Sequence, residues 1–305
     1  MAAVGVERVA MSRPIAREFC DPRVYQIAVL LTLLLYGAVG LDFEIRLDIA
    51  LAITFSALIT QFLFSKLWRL TRFELRSAAI STLSLCLLLR TTSITTAILA
   101  GFLTIGSKFA LRHRGKHFFN PTAFGIAAVL LLTDDAWVSA GQWGVAPLLA
   151  LAVACLGSLV VRRVRRSDVT WAFLGSYLAL LAARATWLGD PIAIPLHVVE
   201  SGAFLIFAFF MISDPRTTPD SRSGRVVFAC LVAAGALFIR FGLYHTNGLI
   251  WSLVACASLV PVLNRLLPGR RYEWGVTSRT GTHGGKFDVA KNDLGAVLPG
   301  LRTAR

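Results

Sequence analysis

The stretch SDPRTTPDSRSGR, residues 213–225, gathers Asp214, Arg216, Thr217, Thr218, Asp220, Arg222 and Arg225 into one polar segment between apolar runs. Guanidinium groups and hydroxyls beside the free N–H groups of a helix start suit a phosphate or a carboxylate. Asp220, Ser221 or Ser223 is placed to cap the helix that follows. The same residues also read as a positively charged loop with a proline turn and a cap. A second stretch, SKFALRHRGKHFFNPTAFG, sets Lys108, Lys116 and His117 ahead of Asn120-Pro121. Proline is favoured in the first turn of a helix, so a helix starts there, and the cations before it can reach a ligand. His113 and His117 stand four apart, but on a basic loop that spacing does not make a metal site, and none is expected. Glu200 lies inside an apolar run three residues after His197. An ionisable group at such depth points to a cation or proton pathway, here with Asp214; Arg184 or Arg240 could equally be present to neutralise it.

Several chemistries are excluded. No phosphate-binding GxxxxGK[ST] loop, GxGxxG turn or HExxH helix occurs, and no pair of histidines faces another within apolar runs to hold haem. Five cysteines (Cys20, Cys86, Cys155, Cys230, Cys256) are scattered without a CxxC pair, which fits neither a disulfide framework nor a zinc knuckle. No catalytic residue can be assigned.

The elements that carry these residues are apolar. Of 305 residues, 56% are hydrophobic and 16% charged, with a mean hydropathy of +0.67. Soluble domains carry about 25% charged residues, so the chain reads as an all-α, multi-pass membrane protein. Apolar segments run over about 24–41, 49–67, 77–90, 94–109, 121–133, 145–161, 169–187, 197–212, 225–243 and 248–267. A span needs ~20 residues, and the third, fifth and eighth are shorter. The N-terminus lacks the apolar core of a signal peptide, which leaves insertion to the first span. Most of the 31 Lys and Arg residues fall in alternate loops and near both ends, whereas the other loops read DFEIRLD, TDDAWVSAGQWG and WLGDPIAIP. Basic loops stay on the cytoplasmic side, so ten spans are expected, with both termini inside the cytoplasmic membrane. The +14 charge is then topological, with anionic lipid as a secondary partner and no nucleic acid. Residues 1–23 form a cytoplasmic segment, 24–268 the membrane domain, and 269–305 an expected flexible tail.

The membrane domain also repeats. Arg76-Ser77-Ala78-Ala79 matches Glu200-Ser201-Gly202-Ala203, Arg90-Thr91-Thr92 matches Arg216-Thr217-Thr218, and Asn120-Pro121 matches Asn247-Gly248, at offsets of 124, 126 and 127. Five spans separate the copies, so each pair faces opposite sides of the membrane. That is the pattern of two inverted repeats, about 24–133 and 145–268. Short or Pro/Gly-broken segments at corresponding places in inverted repeats mark binding sites, because irregular backbone survives in a membrane only inside protein or beside water.

GKHFFNPTAFG, and AFFMISDPRTTPDSRSGR followed by TNGLIWSLVACASLVPVLNR, resemble blocks of the NqrB/RnfD family of membrane electron-transport subunits, in the same order and spacing. The likeness extends over roughly residues 22–268 and is nearer to a short, stand-alone, UnbU-like branch. It implies a ten-helix inverted-repeat fold with discontinuous helices, a flavin, redox partner proteins or quinone, and electron transfer coupled to cation or substrate movement. The candidate cofactor residues, read from the two polar stretches, are Lys116, His117, Asn120, Asp214, Arg216, Thr217, Thr218 and Arg222, with Glu200 and Asp214 as candidates for an ion or proton pathway. Covalent FMN in the family sits on a threonine in an [ST]-G-[AS]-T motif. Here Ser201-Gly202-Ala203 is followed by Phe204, and Ser167-Asp168-Val169-Thr170 lacks the small residues. The expectation is therefore FMN or riboflavin held non-covalently. Two alternatives use the same scaffold: a non-redox transporter of a small solute or cation, and a membrane accessory protein of a biosynthetic pathway.

Overall fold

The computed structural model describes residues 21–41, 43, 45–69, 73–139, 147–191, 193, 198 and 201–272. His197, Glu200, most of the N-terminal segment and nearly all of the 269–305 tail lie outside the described residues.

Among the described residues, the apolar runs of the sequence fold as helix, and the local chemistry explains where several of the helices start. Asp21 accepts a hydrogen bond from Arg23 N at 3.0 Å and opens α1 (Pro22–Gly40), with proline at its first position. α2 spans Leu47–Leu67 and α3 Leu75–Leu88. Ser93 caps α4 (Ile94–Ala110) and Asn120 caps α5 (Pro121–Leu132), again with proline first. α6 covers Pro147–Val164 and α7 Ser167–Leu188. α8 (Gly202–Ile206) runs into a π-turn at Phe207–Met211. Ser221 caps α9 (Arg222–Leu237), which ends in a second π-turn, Phe238–Gly242. α10 (Gly248–Ala257) and α11 (Val260–Leu266) follow, bent by 50° at the break between them.

By length and composition α1, α2, α7 and Arg222–Gly242 can each cross a bilayer, and the bent α10–α11 pair makes a fifth candidate. α3, α5 and Gly202–Met211 are apolar but too short to cross alone. Many large apolar side chains point outward, Leu35, Phe55 and Leu63 at 57–60% exposure, as suits helices that face lipid. The architecture is that of a mostly helical, multi-pass membrane protein.

α1 packs on α3, α2 on both α3 and α4, and α4 on α5. In the second half α6 packs on α8 and its π-turn, α7 on α9 and that π-turn, and α9 on α10. The halves meet where α1 lies against α6 and α5 against α10. Two short antiparallel ladders, absent from the all-α expectation, complete the frame. β1 (Leu89–Thr91) pairs with β4 (Ala136–Val138), Arg90 opposite Trp137, and β2 (Arg112–His113) pairs with β3 (Lys116–His117).

Close helix approach depends on small residues, as is usual where lipid supplies no hydrophobic drive between helices. A Cβ on Gly101 of α4 would stand 2.7 Å from the Ile53 carbonyl oxygen of α2, whereas one on Gly175 of α7 meets nothing within 4 Å. Gly101→Ala is therefore expected to destabilise the protein by about 1–3 kcal/mol, and Gly175→Ala to be neutral or stabilising. Thermal unfolding of both variants in one detergent checks this.

Candidate functional site

The site is assembled from the two polar breaks. The β2–β3 hairpin turns through Arg114 and Gly115, both with positive φ (51° and 77°), the geometry of a two-residue hairpin turn that matches strand twist. That turn aims Lys116 at the loop after α8. Lys116 Nζ donates to the Thr218 carbonyl at 2.8 Å and to Asp220 Oδ1 at 2.7 Å. Four residues on, Asn120 acts in two directions: Oδ1 accepts from Ala123 N, and Nδ2 donates to the Met211 carbonyl, both at 3.0 Å. Met211 ends the π-turn, where a carbonyl leaves the helical ladder, so the amide of one half closes the broken helix of the other.

The loop after α8 is tightened by its own residues. Asp214 Oδ1 accepts from Arg216 N at 3.0 Å, and the Asp214 carbonyl accepts from Thr217 N and Thr218 N. This is the turn an Asp-Pro pair favours. Asn264 on α11 accepts Asp220 N at 2.8 Å. Arg225 donates to Asp168 of α7 at 2.5 and 2.8 Å and to the Asp220 carbonyl at 2.8 Å. Lys108 Nζ turns to Ser77, donating to its carbonyl at 2.9 Å.

Lys116, Asn120, Asp214, Arg216, Thr217 and Thr218 are thus joined through one set of polar contacts, with His117 on the same hairpin. Arg222 is exposed on the first turn of α9 and has no hydrogen bond or ion pair among the described residues. Asp168 and Asn264 complete the network without having been singled out. A lone Asp after a basic run and a lone Asn at the end of an apolar one carry no local signal of a distant partner.

Electrostatics at this end are dominated by cations. Burial raises the Asp214 carboxyl above its ordinary range, although Arg216, Lys108 and Lys116 act to lower it. Burial, followed by the charges of Lys108, Arg216, Arg112 and Lys116, pushes His117 down to about 3.

A cavity of about 950 Å³ opens at the opposite ends of the same helices. Tyr177, Phe204 and Phe207 form an aromatic wall, and Arg240, His245 and Asn247 line it with polar groups. Met211 lines it too, so a single residue lies between this space and Asn120. None of the eight residues expected to bind a cofactor lines it. A smaller cavity of about 380 Å³, lined by Arg46, Arg90 and Thr92, shares Trp137 and Ser139 with it.

Residues 133–273 match the family model described as the NQR2, RnfD, RnfE family. Three relatives are named as subunits of an ion-translocating oxidoreductase complex. The protein from Tolumonas auensis is 38% identical over 102 residues, 33% of this chain and 29% of that protein. The one from Methanosarcina acetivorans is 30% identical over 122 residues, 39% of this chain and 38% of that protein. The one from Escherichia fergusonii is 30% identical over 142 residues, 45% and 35% respectively. The matches span about a third of those relatives' length. The NqrB/RnfD resemblance read from the sequence holds in these comparisons.

The depressed His117 fixes the sign of a pH effect. With an ordinary value of about 6.5, the unfolded chain takes up this proton before the folded one as pH falls. Stability from neutral His117 is complete above about pH 6.5 and declines toward pH 3, by at most about 1.4 kcal/mol per pH unit. His117→Gln is expected to remove that slope in denaturation midpoints measured between about pH 7 and pH 5. Separately, Asn120→Ala is expected to cost about 1–3 kcal/mol. Asn120→Asp should lose nearly as much: it keeps the cap acceptor but turns a carboxylate toward the Met211 carbonyl.

Proposed function

We propose that this chain is a membrane-embedded electron-transport subunit of the NqrB/RnfD type, holding FMN or riboflavin non-covalently and coupling electron transfer to movement of a cation or substrate. The observation that carries the reading is the cavity of about 950 Å³ beside the broken helix, in a chain whose second half matches that family. Ligand pockets are typically ~300–1,000 Å³ and mostly apolar, with a few polar groups that orient the ligand. In this proposal Tyr177, Phe204 and Phe207 stack on an isoalloxazine ring, while Arg240 and Asn247 take its polar edge. With phenylalanine at 204 in place of the acceptor threonine, the ring is held without a covalent bond. A bound flavin supplies electron transfer in one- or two-electron steps; the protein excludes water and sets the orientation.

The network of Lys116, His117, Asn120, Asp214, Arg216, Thr217 and Thr218 is proposed as the polar end of the same route, reached past Met211. Asp214 in that network would carry a cation or proton; Glu200, which lies outside the described residues, is proposed for the same pathway. Ten spans in two inverted repeats fit this reading. The packing α1–α3, α2–α4 and α4–α5 recurs five helices later as α6–α8, α7–α9 and α9–α10. The halves touch through α1–α6 and α5–α10, the pairs that a two-fold axis brings together. The cytoplasmic membrane, both termini inside, and redox partner proteins or quinone belong to the proposal. A non-redox transporter is the alternative on the same scaffold.

The visible absorption spectrum of protein purified in mild detergent, before and after acid precipitation, tests the proposal. A flavin spectrum is expected that moves to the supernatant with acid, and Ala203→Trp, which fills the cavity, should reduce it at least tenfold without preventing purification. Colour retained in the pellet would mean covalent attachment. Reproducibly colourless protein would sink the flavin reading and leave the transporter.

A further inference from the structure

We propose that Arg166, at the start of α7, is the centre of an anion site, outside the aromatic cavity and adjoining the polar network through Thr218, that takes a phosphate group. Arg166 is 5% exposed, yet its Nε and Nη2 have no hydrogen-bond partner. Two buried hydroxyls share that condition, one on the same helix and one in the loop that Lys116, in electrostatic range of Arg166, also contacts. Thr170 Oγ1 lies one helical turn along α7 and Thr218 Oγ1 lies in the loop after α8; both residues are 0% exposed and both oxygens lack a partner. Polar groups buried to this degree are almost always bonded, and a bound ion is one of the arrangements that satisfies them.

The charge balance leads to the same conclusion. The carboxylates around Arg166 are already engaged: Asp168 with Arg225 and Asp220 with Lys116, the latter at 2.7 Å. Arg166 has no ion pair among the described residues and lies in electrostatic range of Lys116, Arg225, Asp168 and Asp220. One buried positive charge is left over, which is costly unless an anion answers it. Its guanidinium stacks over the Tyr272 ring at 5.0 Å. Stacking occupies the face and leaves the N–H edge, which binds oxyanions in a bidentate fashion.

Helix α7 begins at the next residue, and Arg166 supplies no side-chain cap to it. Asp168 Oδ1 takes the Val169 N–H at 3.0 Å; the remaining first-turn amides and the helix dipole favour a negative group. Guanidinium, hydroxyls and amides together make a donor set for a tetrahedral oxyanion with several acceptor oxygens. Phosphate fits this better than a flat carboxylate. It can come from solution or from a phospholipid headgroup, and the proposal does not depend on flavin binding.

The test uses the full chain purified in zwitterionic detergent, melted against inorganic phosphate with chloride at matched ionic strength as control. A parallel arm compares nanodiscs of phosphatidylcholine alone with nanodiscs containing phosphatidylglycerol. Phosphate or phosphatidylglycerol is expected to raise the wild-type melting temperature, and Arg166→Gln to need at least about tenfold more ligand for the same shift. Thr170→Val, which keeps the shape and removes one hydroxyl, should show a smaller loss in the same direction and covers the case in which Arg166→Gln does not fold. A response to free phosphate identifies a soluble ligand, and a response to phosphatidylglycerol alone identifies the headgroup. No stabilisation in either arm, or equal stabilisation of wild type and both variants, overturns the proposal.

Discussion

A carbonyl or amide that leaves its helix inside an apolar protein has no water to turn to, and each unmet group costs several kcal/mol. This chain breaks its helices near the centre and answers the loss across its two halves. Asn120, from the start of α5, covers the carbonyl released by the π-turn at Met211. Lys116, from the hairpin before α5, covers the carbonyl of Thr218 and pairs with Asp220. Asn264 covers the amide of Asp220. The cross-half bonds of Asn120 and Lys116 make the broken segments possible, and they place the basic end of the protein.

Placement of the cavity follows from that arrangement. Because the π-turn shifts the helical register at Phe207–Met211, an entirely buried run faces the cluster through its last carbonyl and the cavity through its side chains. Around it, Phe173, Tyr177, Phe204 and Phe207 pack with ring centroids 5.0–5.8 Å apart. That aromatic mass makes the wall rigid. The polar groups stay at the ends of the helices, where Arg225 and Lys116 each find one carboxylate.

Much of this was legible in the sequence where the cause is local. Apolar runs marked the helices, and Asn120-Pro121 announced a cap that the structure shows bonded to Ala123. The short third, fifth and eighth runs appear as the short α3, α5 and Gly202–Met211. The partners were not legible. Asp168 meets Arg225 across 57 residues, and Lys116 meets Asp220 across 104; no spacing rule reaches so far. The ladder that sets Arg90 opposite Trp137 lay hidden because three-residue strands leave no periodicity. The cavity was equally invisible, since its lining comes from elements far apart in the chain, from Leu88 and Trp137 through Tyr177 and Phe204 to Arg240 and Asn247.

If the two halves hold one another through the Lys116–Asp220 contact, the two side chains must be energetically coupled. A double-mutant cycle of Lys116→Met and Asp220→Asn, followed by unfolding in detergent, measures that coupling. Each single change should destabilise the protein, and the double variant should be no worse than the more damaged single one, giving a coupling of about 1–3 kcal/mol. Strictly additive costs, with no coupling, would show that the two residues do not act together and that the halves are held some other way.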